Sequence, residues 1–142
     1  MTVATFIDEA RKNYKAIKTP VRCRCLNQDI HFNSSGFNHL INNGLGSRRT
    51  IAEIKHKTRL IPLIVPVIKN ANDASYERRT VREDRRKNSP LVVAEYWGIT
   101  AQVGKAPISV RVIIKRMGNG NFFFWSAMIE NKKHHPNRGD AF

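Results

Sequence analysis

The stretch Val110-Arg111-Val112-Ile113-Ile114-Lys115-Arg116-Met117-Gly118-Asn119-Gly120-Asn121-Phe122-Phe123-Phe124-Trp125-Ser126-Ala127-Met128-Ile129 decides the fold. Runs rich in β-branched and aromatic residues flank Gly118-Asn119-Gly120, a strong hairpin signal, because glycine and asparagine accept the backbone angles of a tight turn. With Asn119 and Gly120 as the central turn residues, Gly118 faces Asn121 and Met117 faces Phe122. Counting on, Ile113 faces Ser126 and Arg111 faces Met128. Side chains at opposed positions share a face of the sheet. One face therefore carries Arg111, Ile113, Lys115, Phe124, Ser126 and Met128. The other carries Val110, Val112, Ile114, Phe123, Trp125 and Ala127. The second set is nearly all apolar and should lie against helices.

Period two continues upstream of this hairpin. Ser75 to Val81 and Leu91 to Ile99 read as strands joined by the charged segment Arg82 to Pro90. Leu91, Val93, Glu95 and Trp97 fall on one face of the second, and Val92, Ala94 and Tyr96 on the other. The first half of the chain is helical in pattern. Val3, Phe6, Ile7, Ala10, Tyr14 and Ile17 form a stripe that ends before Pro20. Val21 to Leu26 alternates as a strand, and Asp29 to Phe32 extends it or begins a second one. Asn33-Ser34-Ser35 offers a cap to a helix through Phe37, His39, Leu40 and Ile41, stopped at Asn42-Asn43-Gly44. Ser47 or Thr50 caps the next, with Ile51, Ile54, Thr58 and Ile61 on one face, and Pro62 should kink or end it. Helices first and strands last predict an α+β fold: N-terminal helices packed on a four- to five-stranded, mainly antiparallel sheet.

The chain has 142 residues, 41% of them hydrophobic, which suits one folded domain spanning 1–142. Residues 130–142 show little pattern and are expected to be a flexible tail. The net charge is +14. A field of that size attracts phosphate polymers, so RNA is the expected partner. The first ten residues include Asp8 and Glu9 and no long apolar run, unlike a secretory signal. Leu60 to Ile68 is interrupted by Pro62 and Pro66 and is too short to span a bilayer, so no membrane association is expected. Cys23 and Cys25 imply no disulfide framework, and a cytoplasmic setting is the simpler reading.

Cutting RNA without a metal requires a base for the 2′-hydroxyl proton, an acid for the leaving 5′-oxygen, and cations around the phosphorane. Histidine and arginine suit these tasks. His31, His39, His56, His134 and His135 are available, with His39 on a short helix directly after a strand. The rival constellation is zinc bound by Cys23, Cys25, His31 and His39, but Cys-x-Cys with no second clustered pair is a poor zinc signature. Two-metal chemistry is disfavoured by 11 scattered acids, and a phosphate loop of the P-loop type is absent. No metal and no cofactor are expected.

The order of these features carries a resemblance. An N-terminal helix is followed by the strand Val21 to Leu26, then Ile30-x-Phe32, Gly36-x-x-His39-Leu40, Arg48-Arg49 before a long helix, and the final hairpin. This is similar to the phage and polymorphic-toxin branch of the barnase/EndoU/colicin/RelE-like nuclease superfamily, over about residues 5 to 130. The resemblance implies helices on an antiparallel sheet and metal-independent endoribonuclease activity that leaves a cyclic phosphate. It implies His39, Arg111 and Ser126 as catalytic residues, and Arg48 or Arg49 as a further phosphate contact. Lys115 and Phe124 join the RNA-binding set from the hairpin register, as a phosphate cation and a base-stacking ring. By the same likeness tRNA is a candidate substrate. An acidic immunity or antitoxin protein is expected to cover the basic face, since a free ribonuclease would poison its host. The alternative is a non-catalytic RNA-binding, mobile-element or virion-associated protein using the same surface.

Overall fold

A computed structural model describes residues 2–43, 46–84, 86, 88–105 and 107–130. The segment from 131 onward, with His134 and His135, lies outside the described residues.

Helix α1 spans Val3–Lys15, with the Thr2 hydroxyl accepting from the Thr5 amide at its start. Ile7, Ala10 and Tyr14 are its buried residues, as the stripe requires, and Val3, Phe6 and Ile17 pack at its margin. Strands β1 (Val21–Cys23) and β2 (Gln28–His31) form an antiparallel pair, so the Asp29–Phe32 stretch contributes to a strand of its own. Helix α2 (Ser34–Ile41) is capped by the Asn33 side chain and ends at Asn42. Helix α3 (Ile51–Arg59) begins at Thr50, whose hydroxyl and Glu53 form a reciprocal capping box.

Helix α4 (Ile61–Asn70) was not announced by the sequence pattern. Pro62 stops α3, and the same residue sits in the first turn of α4, where a missing N–H removes no helical bond. Ile64, Val67 and Ile68 of this helix are completely buried. At about 1.5–3 kcal/mol for each such side chain, that burial outweighs the internal Pro66.

The strands β3 (Ala74–Arg82), β4 (Leu91–Val103), β5 (Ile108–Met117) and β6 (Phe122–Ile129) complete a six-stranded sheet, somewhat larger than expected. The order is β1-β2-β6-β5-β4-β3, and every neighbouring pair is antiparallel except β2 with β6. The α+β class therefore holds. No helix among the described residues is long and apolar enough to cross a membrane.

One side of the sheet is covered by helices. Val110, Val112, Ile114, Phe124 and Ala127 join Ile64, Val67 and Ile68 in a single core. The other side carries a second cluster, Ala94, Tyr96 and Ile113 with Val81, Met117, Trp125 and Met128, all supplied by strands.

The hairpin corrects one expectation. The turn closes from the Gly120 amide to the Met117 carbonyl, so its centre is Gly118-Asn119, one residue early. Pairing near it is slipped by one, with Lys115 opposite Phe123 and Ile114 opposite Phe124. A bulge then inserts Trp125 and restores the expected register, with Ile113 opposite Ser126 and Arg111 opposite Met128. As a result Phe124 and Trp125 exchange faces. Phe124 is completely buried against the helices and stacks on Phe32, so it cannot serve as a base platform. Trp125 stands on the open side.

Candidate nucleic-acid interface

The placement of α2 sets the site. Strand β2 pairs with β6 only at Ile30–Phe122 and His31–Phe123. Beyond that point α2 packs along β6 instead. Gly36 permits the close approach: a Cβ there would lie 2.5 Å from the Phe124 carbonyl oxygen and 2.7 Å from both its ring and the Tyr14 hydroxyl. The Tyr14 hydroxyl donates to the Asn33 carbonyl at 2.8 Å, which ties α1 to the start of α2. One turn past Gly36, His39 reaches the bulged Trp125, with ring centroids 4.4 Å apart.

From Trp125 a row of side chains crosses the open face. The Lys115 ammonium lies 3.8 Å from the Trp125 ring centroid and 5.3 Å from that of Tyr96. The Arg79 guanidinium lies 5.2 Å from the other neighbour of the row, the same Tyr96 ring. The register explains the alignment, because Lys115 is paired with Tyr96, and Arg79 with Ala94 one strand further out. The row thus runs His39–Trp125–Lys115–Tyr96–Arg79 and draws on α2, β6, β5, β4 and β3.

Two more cations brace its inner end. Lys57 on α3 donates to the Ala127 carbonyl at 2.7 Å, occupying the edge of β6 that β2 leaves unpaired. Arg49 donates through Nε and Nη2 to the His39 carbonyl, at 3.3 and 3.2 Å, and pairs with Glu53 at 3.7 Å. The carbonyls of a helix's last turn lack intrahelical donors, so Arg49 fastens the end of α2.

These neighbours determine the protonation of the site. Burial, followed by the charges of Arg49, Lys57 and Lys115, lowers the His39 pKa to about 4. Every charged group acting on that imidazole is a cation. Its Nδ1 is buried without a hydrogen-bond partner among the described residues. Burial and then Arg79 lower Lys115 to about 8. Burial and then Arg49 lower Lys57 to about 8, against the opposing effect of Glu53. Beside His39 opens a recess of about 240 Å³, walled by Trp125 and the polar side chains of Ser35, Asn38, Asn42 and Asn43. The recess is lined by amides and a hydroxyl, and the nearest cations, Arg49, Lys57 and Lys115, act on it through His39 rather than from its walls.

The residues singled out in the sequence divide. His39, Arg49 and Lys115 come together. Arg111 does not join them: its side chain lies across Gly98, where any Cβ would collide with the guanidinium, and Nη2 donates to Ser75 Oγ at 2.8 Å on β3. That direction is away from β6. Ser126 is 2% exposed opposite Ile113, sealed within the strand cluster. Arg48 is exposed on the loop, where its backbone bridges to Asn42. Cys23 and Cys25 approach each other, Sγ to Sγ 3.8 Å, with Cys23 fully buried. Among the described residues no group of three or more potential metal ligands converges. Sequence reasoning missed Trp125, Lys57, Tyr96 and Arg79 as parts of the site. Lys57 was visible only as one of several cations on the polar side of α3.

Fold and site together define an α+β domain with one helix-covered sheet face and one face of cations and aromatic rings, on which Arg79 is also paired with Glu77 at 2.6 Å. Residues 3–124 match the model of large polyvalent protein-associated domain 3, and the chain belongs to that family. The matched span includes His39, Arg49, Lys57 and Lys115 and stops one residue before Trp125. No curated protein and no solved structure matches the chain.

Proposed function

We propose that this domain is a metal-independent endoribonuclease of the toxin type, which holds RNA on the open sheet face and cuts it beside His39. The observation that carries the reading is that His39 and Lys115 meet on one ring, Trp125, at 4.4 and 3.8 Å, beside a polar recess that His39 itself lines. With its pKa lowered to about 4, His39 is unprotonated at pH 7 but only weakly basic, so its part in proton removal rests on position more than on basicity. Its Nε2 takes the proton of a 2′-hydroxyl. The 2′-oxygen bonds to phosphorus, the bond from phosphorus to the 5′-oxygen breaks, and a 2′,3′-cyclic phosphate remains. Lys115, still mostly protonated at pH 7 with a pKa of about 8, gives a proton to the departing 5′-oxygen. Lys57 and Arg49 add positive field at the phosphorane, where each well-placed donor contributes about 2.7–4 kcal/mol. Trp125 is a positioning residue, touching both the base and the acid. Arg79 and Arg111 extend the binding face.

The family's association with large polyvalent proteins supports a toxin-like setting. A charge of +14 calls for an acidic inhibitor that covers this face in the producing cell. The site of action is the cytoplasm of host or target cell, and tRNA is the first substrate to try. A second reading, an RNA-binding module without catalysis, is favoured by the commitment of Lys57 to a carbonyl and of Lys115 to two rings. Incubating purified protein with tRNA and total RNA in excess EDTA separates the two. The ribonuclease reading expects discrete fragments. Intact RNA at high protein concentration, with strongly salt-dependent binding, leaves only the binding module.

A further inference from the structure

A second cavity, of about 390 Å³, adjoins the His39 recess through Asn38 of α2. It is lined by Tyr14, Ile17, Phe32 and Phe37 together with Arg11, Lys15, Ser34 and Asn38, and the Arg11 guanidinium lies 5.1 Å from the Phe37 ring centroid. The rings are fixed rather than loose. Tyr14 packs on Phe32 at 5.8 Å and on Phe37 at 5.4 Å, and Phe32 stacks on Phe124 at 5.5 Å. Asn38 lines both this cavity and the recess beside His39. One side chain of α2 therefore faces two concavities, one aromatic and one polar.

We propose that the aromatic cavity is a nucleobase subsite, which takes the base of a nucleotide whose phosphate lies in the His39 recess. The proposal rests on the ribonuclease reading for its substrate and names where that substrate's base is held. On the open-face row the Trp125 ring is already in contact with His39 and Lys115, and the Tyr96 ring with Lys115 and Arg79. The cavity supplies what the row lacks. Preformed apolar walls of this size suit a flat heteroaromatic ring, and such stacking is the usual means of holding unpaired bases. Asn38 offers an amide donor and an amide acceptor to a base edge. Lys15 and Arg11, the latter also paired with exposed Asp8, suit the phosphate on the outer side of that nucleotide. An apolar anchor of a protein partner would fit the walls, but it would draw nothing from the two cations.

The test uses the whole chain, with AMP, GMP, CMP, UMP and ribose 5-phosphate as probes, read by amide and side-chain chemical shifts. At least one mononucleotide is expected to shift Ile17, Phe32 and Asn38 together, and ribose 5-phosphate is expected to leave Ile17 and Phe32 unmoved. Lys15→Glu, at an exposed position, is expected to weaken that mononucleotide about tenfold, the equivalent of 1.4 kcal/mol. Asn38→Ala is expected to change the ranking among the four bases. Shifts confined to the His39 recess, or equal shifts with ribose 5-phosphate, overturn the subsite. Cavity shifts from an apolar peptide but from none of the mononucleotides also overturn it and assign the cavity to a protein partner. Mononucleotide binding here with no RNA cleavage would leave the subsite standing and remove the catalysis. RNA cleavage with a silent cavity does the reverse.

Discussion

On the helix-facing side of the sheet, Val110, Val112, Ile114, Phe124 and Ala127 have no exposure and no polar atom in their side chains. On the opposite side, Lys115 and Trp125 of the same two strands join Tyr96 of β4 and Arg79 of β3, and cations rest on aromatic rings. The first arrangement is stabilised by burial, and its positions should tolerate only apolar residues of similar volume. The second keeps charges partly desolvated, which lowers Lys115 and His39 from their ordinary pKa values. A protein gains little stability from such an arrangement, since desolvating a cation opposes folding. The proposed site lies on the open face, where cations are held partly desolvated against rings.

The largest expected effect breaks that contrast chemically. His39→Ala should reduce RNA cleavage by about 10²–10⁴-fold, the usual range for a lost proton-transfer group, while the far-ultraviolet circular dichroism stays unchanged. Next, Lys115→Met should reduce the rate about 10²-fold, and Lys115→Arg should move the alkaline limb of the rate profile upward from about pH 8. A rate profile insensitive to both substitutions would remove Lys115 from the mechanism.

Structural effects come next in size. Gly36→Ala should push α2 off β6 and destabilise the fold by about 1–3 kcal/mol, measured by urea unfolding, because the new methyl meets a backbone carbonyl. His39 also makes folding acid-sensitive. The unfolded chain protonates this residue near pH 6.5, while the folded chain resists until about pH 4. Stability contributed by the neutral ring is therefore complete above about pH 6.5 and falls as pH drops through that window. His39→Gln should flatten this slope, and a slope unchanged by the substitution contradicts the assigned environment. The smallest effect belongs to Arg111→Ala. With its guanidinium turned toward Ser75, its loss should lower the salt slope of RNA binding by about one and leave the cleavage step nearly untouched.

Much of the fold was legible because it is local. The caps at Asn33 and Thr50, the stripe of α1 and the final hairpin are written within a few residues of where they act. The register at Ile113 and Arg111 matches the expected one only because the bulge offsets the shifted turn. The bulge was not legible, since Phe122-Phe123-Phe124-Trp125 is apolar at both parities and offers no cue to which ring is extra. That single residue moved Phe124 into the core and Trp125 into the site. Helix α4 was hidden by Pro62 and Pro66, which local pattern reads as breaks although tertiary burial overrides the second. The site itself is non-local. Lys57 meets Ala127 across 70 positions, and His39 meets Trp125 only because β2 yields the edge of β6 to α2. Among the residues marked in advance, His39, Arg49 and Lys115 converge, whereas Arg111 and Ser126, taken from the resemblance and from a shared face, do not join them.

The most direct measurement is end-group analysis of RNA treated with the wild-type protein and with His39→Ala, side by side, in excess EDTA. The account predicts 2′,3′-cyclic phosphate and 5′-hydroxyl ends from the wild type and intact RNA from the variant. Equal cleavage by both proteins, or intact RNA with both, would contradict it.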